Sequence, residues 1–173
     1  IFIKMTKIGV ISDTHGYIDD RILHHFKDCD QIWHAGDVGS VDVIETLENT
    51  GKVIKGVYGN IDNQKVRAIF PEYNFFTVEN KKVLMLHIAG YPGRYNKHAY
   101  HLIKKYQPDI FVCGHSHILK IQYAKDLHLL HINPGAAGIK GFHKIRTIVR
   151  FAIDGNKIEN MEVIELGARS RSA

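Results

Sequence analysis

Cysteine is scarce in this chain, with two among 173 residues, and Cys29 and Cys113 form no paired motif. That excludes a disulfide-stapled scaffold and a thiolate zinc site. Proline numbers four, there is one tryptophan, and no low-complexity tract or internal repeat interrupts the sequence. Apolar runs all stop well short of the ~20 residues that span a bilayer. The opening Ile1 to Lys7 is too short and too broken by lysine to act as a signal peptide. Charge is not lopsided either: 23 Lys and Arg stand against 18 Asp and Glu, a net charge of +5. Basic residues are dispersed, gathering only at Lys140 to Arg150 and at Arg169 and Arg171. No basic stripe interleaves with aromatics, so nucleic acid is not the expected partner; a mildly basic surface suits a small ligand carrying phosphate. These absences leave one expected domain over residues 1–173, in the cytoplasm, with 1–5 as a start outside the fold and 168–173 as a tail. Nothing in the sequence speaks for or against a homo-oligomer.

What the chain has in quantity is histidine, twelve residues in all. Their positions matter because of the elements around them. Lys7 to Ser12, Gln31 to Ala35, Lys52 to Tyr58 and Asp109 to Cys113 read as short core strands, each stopped by a polar loop. Asp19 to Cys29, Val41 to Asn49 and Asn96 to Gln107 read as helices, the first two with inner faces Ile22, Leu23, Phe26 and Val43, Ile44, Leu47. Tyr73 to Val78 with Lys82 to His87, Leu119 to Ala124 with Leu127 to Ile132, and Arg146 to Ile153 with Lys157 to Leu166 read as strand pairs. Alternating strands and helices followed by paired strands predict an α/β fold with mixed sheets covered by helices.

Ligand-type side chains recur where the strands end, the place where open α/β sheets bind ligands. The loops are Asp13-Thr14-His15, Gly36-Asp37, Gly59-Asn60-Ile61-Asp62, His87 and Gly114-His115-Ser116-His117. Oxygen and imidazole donors without thiolate suit Mn, Ni, Zn, Fe or Mg. In extended backbone the residues of Asp-x-His and His-x-His would point to the same side and face one cluster. Glycine before Asp37, Asn60 and His115 would allow the tight turns that expose them.

In this order the motifs resemble those of the calcineurin-like metallophosphoesterase superfamily, over about Lys7 to Gly138. Size and the Asn133-Pro134-Gly135 turn are similar to its small bacterial and archaeal phosphodiesterase branch. The resemblance implies a four-layer α/β sandwich, two mixed β-sheets flanked by helices, and two divalent metal ions, manganese first among them. It implies Asp13, His15 and His117 around one ion, Asn60, His87 and His115 around the other, and Asp37 shared. Asp37, Asn60 and His87 would be catalytic, with a water between the ions attacking phosphorus in line. Many relatives carry a histidine after the asparagine as a proton donor. Here the position is Ile61, which cannot donate, so diesters with good leaving groups are expected over general phosphatase substrates. Arg94, Tyr95, His98 and His143 are the candidate substrate contacts. The competing readings are a nuclease and a non-catalytic scaffold resembling the small retromer subunit; the complete ligand set favours catalysis.

Overall fold

The structure is a computed structural model that describes residues 5–170. The start at 1–4 and the end of the tail at 171–173, including Arg171, lie outside the described residues. Among the described residues ten strands make two five-stranded sheets. In the first, β1 (Thr6–Ile11), β2 (Gln31–His34) and β3 (Val53–Gly56) run parallel, and β9 (Ile145–Asp154) and β10 (Lys157–Ala168) continue antiparallel in the order β10-β9-β1-β2-β3. In the second, the order is β4-β5-β6-β8-β7. Here β5 (Lys81–Leu86), β6 (Ile110–Val112) and β8 (Leu129–Asn133) are parallel, edged by β4 (Tyr73–Val78) and β7 (Lys120–Ala124).

Both sheets are mixed, and each parallel centre is buried on two sides, which is why those strands read as continuous apolar runs. Along β1, Ile8 and Val10 face the second sheet and share one core with Trp33 of the neighbouring β2 and with Val83, Met85 and Val112 of β5 and β6. Ile11 faces outward, onto Ile22 and Phe26 of α1 (Asp20–Phe26) and Val43, Ile44 and Leu47 of α2 (Val41–Glu48). The outer face of the second sheet packs Leu84, Phe111 and Leu129 against Ala99, Leu102 and Ile103 of α4 (Lys97–Tyr106). Helix, sheet, sheet, helix is the four-layer sandwich that the family resemblance implies.

Helix starts follow side-chain capping. Asp19, Ser40 and Asn96 each accept a backbone N–H of the first turn. A fourth helix, α3 (Gln64–Ile69), was not expected. It is six residues long with one buried side chain, Val66, so it carries almost no periodic signal. Asn63 caps it through the amides of Lys65 and Val66. No described helix is long and apolar enough to cross a membrane.

Candidate metal centre

The C-terminal ends of β1, β2, β5 and β6 and the loop after β3 converge on one side of the sandwich. They bring together all seven residues singled out as ligands. Asp13, His15 and His117 place one ligand atom each within 4.8 Å of one another, and so do Asp37, His87 and His115. Asn60 Oδ1 joins the second group, 3.0 Å from His115 Nδ1.

Asp37 stands between the groups. Its Oδ2 lies 3.6 Å from His15 Nε2 and its Oδ1 lies 3.2 Å from His87 Nε2. Asp13 and Asp37 are almost wholly buried, at 0% and 3% exposure. Buried carboxylates need donors. Asp13 Oδ2 has them in the Ser12 hydroxyl at 2.7 Å and the His115 amide at 3.1 Å. Among the described residues, Asp13 Oδ1, His15 Nε2 and His87 Nε2 have no hydrogen-bond partner. Three orphaned donor atoms of metal-ligand chemistry, turned toward one another, are what a cation would satisfy; the residues fit a pair of divalent ions.

The route by which the motifs converge differs from the expected one. Asp13, His15, Asp37, His115 and His117 all have positive φ, between 48° and 71°. Asp-x-His and His-x-His are therefore left-handed turns, not extended segments, and the extended-strand argument for their convergence fails. His115 and His117 in fact go to different groups. Such backbone costs of order 1–3 kcal/mol per residue and gathers where function requires it. Glycine also acts mainly through space: a Cβ at Gly59 would strike the Asp37 carboxylate, and one at Gly114 would strike Ser12 Oγ.

Residues outside the ligand set hold these loops. The Asp62 carboxylate accepts from the amides of Gly59, Val38 and Gly39, tying the Asn60 loop to the Asp37 loop. His34 accepts the Gly36 amide at Nδ1 and donates from Nε2 to Thr14 Oγ1, whose hydroxyl donates to Val38 O. Complete burial pulls the His34 pKa down to about 4, so it braces the Asp13 and Asp37 loops as a neutral ring. Asn133 donates to Gly114 O and Ser116 Oγ, which is the service of the Asn-Pro-Gly turn to the His115 loop. No spacing signals such contacts, because their partners lie far off in sequence.

The candidate substrate contacts divide. His98 lies 3.3 Å from Glu72 and lines, with Asn60, Arg67, His87 and Lys97, a cavity of about 580 Å3. Arg94 is exposed, and among the described residues its side chain has no ion-pair partner. Tyr95 points away from the ligands: its hydroxyl meets His131 Nδ1 at 2.6 Å and its ring packs edge-on against Phe111. His143 meets His117 Nδ1 at 3.1 Å. A second cavity of about 340 Å3 touches His115 and is walled by Tyr91, Ile118 and His131. Around the centre Ile61, Ile88, Ile118 and Phe142 stand exposed, next in sequence to Asn60, His87, His117 and His143.

Residues 6–156 match the profile of the calcineurin-like phosphoesterase superfamily domain. The chain belongs to that family. It is 32% identical over 166 residues to a probable metallophosphoesterase of Methanothermobacter thermautotrophicus, covering 93% of each chain. It is 26% identical over 144 residues to a phosphodiesterase of Methanocaldococcus jannaschii, covering 75% of this chain and 82% of that protein. Among solved structures, an archaeal phosphodiesterase superposes with a TM-score of 0.72 at 25% identity, over 93% of this chain and all of that one. Vacuolar protein sorting 29 from Cryptosporidium parvum reaches a TM-score of 0.75 at 19% identity, over 94% and 98%, a likeness of fold. As a member of this family the chain is a metal-dependent hydrolase of phosphoester bonds.

Proposed function

We propose that this hydrolase is a phosphodiesterase working with two divalent cations. Asp13, His15 and His117 would hold one, Asn60, His87 and His115 the other, and Asp37 would touch both. The observation that carries the reading is the set of orphaned buried atoms, Asp13 Oδ1, His15 Nε2 and His87 Nε2, beside a carboxylate that faces both groups. Bound there, such ions supply Lewis acidity toward phosphoryl oxygens and an activated water as nucleophile. The donor set accepts several first-row ions, and manganese is the first to try.

The chain's own residues set what can react. His87 Nδ1–H donates to Ala35 O at 2.7 Å, which leaves Nε2 bare and turned toward Asp37. Ile61 occupies the rim with its backbone N–H on Asp37 Oδ1 at 3.2 Å and an apolar, 47% exposed side chain. It offers no proton to a departing alcohol, so leaving groups that depart as stable anions react best. Two cavities flank the second group, one reaching Asn60 and His87 and the other His115. A diester has two arms to place in them, and a monoester has one. The exposed Ile88, Ile118 and Phe142 favour arms that are apolar and flat.

A panel run on chelated protein reloaded with Mn2+, Ni2+, Zn2+ or Mg2+ tests this. Bis(p-nitrophenyl) phosphate is expected to outpace both p-nitrophenyl phosphate and a dialkyl phosphate. Faster monoester turnover, or turnover undiminished by chelation, would overturn the reading.

A further inference from the structure

The loop Gly138 to His143 closes against the first ligand group from outside. Gly138 N–H donates to Asp13 O at 3.1 Å, so the loop begins tied to the strand end that carries Asp13. Gly141, at φ +128°, leaves no room for a side chain, since a Cβ there would strike the His117 ring. His143 then lays its ring against His117, with centroids 5.0 Å apart and planes at 71°. Arg169 holds the loop from behind, donating to His143 O at 2.9 Å.

Hydrogen-bond polarity along this path has a single solution when His117 binds a cation. Gly138 O can only accept, so His143 Nε2, 2.8 Å away, carries a hydrogen and donates it. The two Nδ1 atoms, 3.1 Å apart, share one hydrogen between them. His117 Nε2 is the nitrogen that faces Asp13 Oδ1, at 3.3 Å. For Nε2 to offer its lone pair there, the His117 hydrogen must sit on Nδ1 and point at His143 Nδ1. His143 therefore accepts from His117 and donates to the main chain, and both of its ring nitrogens are engaged. None is left over for a substrate.

We propose that His143 is a positioning residue for the His117 ligand: it sets which nitrogen of His117 faces the cation and holds the ring at that angle. The proposal rests on the two-metal reading above. Partners of this kind orient a ligand and raise its basicity, and losing one typically costs about 10–100-fold in metal affinity.

Two measurements test it. Long-range 1H–15N correlation of the metal-free protein at about pH 8, above the ordinary histidine pKa, reports the His117 tautomer directly. The expected result is Nδ1–H; an Nε2–H His117 in the unaltered protein would overturn the proposal, whatever any variant does. Calorimetric titration with Mn2+ gives the second. His143→Leu is expected to weaken one of two sites by about 10–100-fold and to release His117 into mixed tautomers. His143→Gln, whose Oε1 can accept from His117 while its amide donates to Gly138 O, is expected to stay close to the unaltered protein in both. Unchanged Mn2+ affinity at both sites in His143→Leu would overturn the positioning role alone. Failure of the unaltered protein to take up Mn2+ would overturn the metal reading, and the positioning role with it.

Discussion

Replacing Asp37 with asparagine takes away the one negative charge of the second ligand group and almost nothing else. Its partners there, Asn60, His87 and His115, are neutral donors in the metal-binding state. Asparagine tolerates the left-handed backbone at φ 52° better than alanine does, and its Oδ1 can keep the 3.2 Å bond from the Ile61 amide. The fold should survive while ion binding fails. Each cation at a thousandfold excess over its Kd contributes about 4.1 kcal/mol to the folded state. A chain of this size gains about 2–4 °C in Tm per kcal/mol, so each saturated site is worth about 8–16 °C. Thermal melts with and without Mn2+, beside metal analysis of dialysed protein, should show two ions and twice that shift in the unaltered chain. Asp37→Asn should hold one ion at most, lose at least half the shift, and lose turnover of bis(p-nitrophenyl) phosphate. Two tightly held ions with the full shift would refute the shared-carboxylate geometry. So would normal turnover.

Installing the missing donor with Ile61→His should raise kcat on dialkyl phosphates far more than on nitrophenyl diesters, with about 10²-fold the least that a well-placed acid supplies; parallel gains on both, in steady-state assays, would count against the leaving-group argument. Trp33 is fully buried between the sheets, edge-on to Phe76 and Phe151, so Trp33→Ala should cost about 3–5 kcal/mol in urea unfolding, and a loss under 1 kcal/mol would mean the intersheet core is placed wrongly. Burial holds both His34 and His131 down to about 4 from 6.5. The unfolded chain then binds their protons first, so stability is full above about pH 6.5 and is lost as pH falls toward 4, by up to about 2.7 kcal/mol per pH unit for the two together. Urea midpoints of metal-free protein at several pH values should show this fall, flattened in the double variant His34→Gln, His131→Gln; an unflattened slope would place the acid sensitivity elsewhere.

Periodicity carried the mixed α/β class because each buried strand and helix has to show its apolar residues at its own repeat, and β1, β2, α1 and α2 do so over enough residues to be read; the four layers came only from the family resemblance. The candidate ligand residues were legible for a similar reason. Metal chemistry admits few residue types, and here they cluster behind strand ends. Short α3 lacked that redundancy, with only Val66 turned inward. The manner of convergence was not legible either: whether His115 bends left-handed toward Asp37 depends on Gly114 lying against Ser12 and Asp13, a contact across about a hundred residues. Arg94, Tyr95, His98 and His143 looked alike as polar residues on loops near the site. Only tertiary packing separated them, giving Tyr95 to His131, His98 to the cavity beside Asn60, and His143 to the back of His117. Local sequence determines which atoms can bind a cation, because that is a matter of residue type. Which nitrogen points inward is a matter of hydrogen-bond partners brought from elsewhere in the chain, and those exist only once the chain has folded.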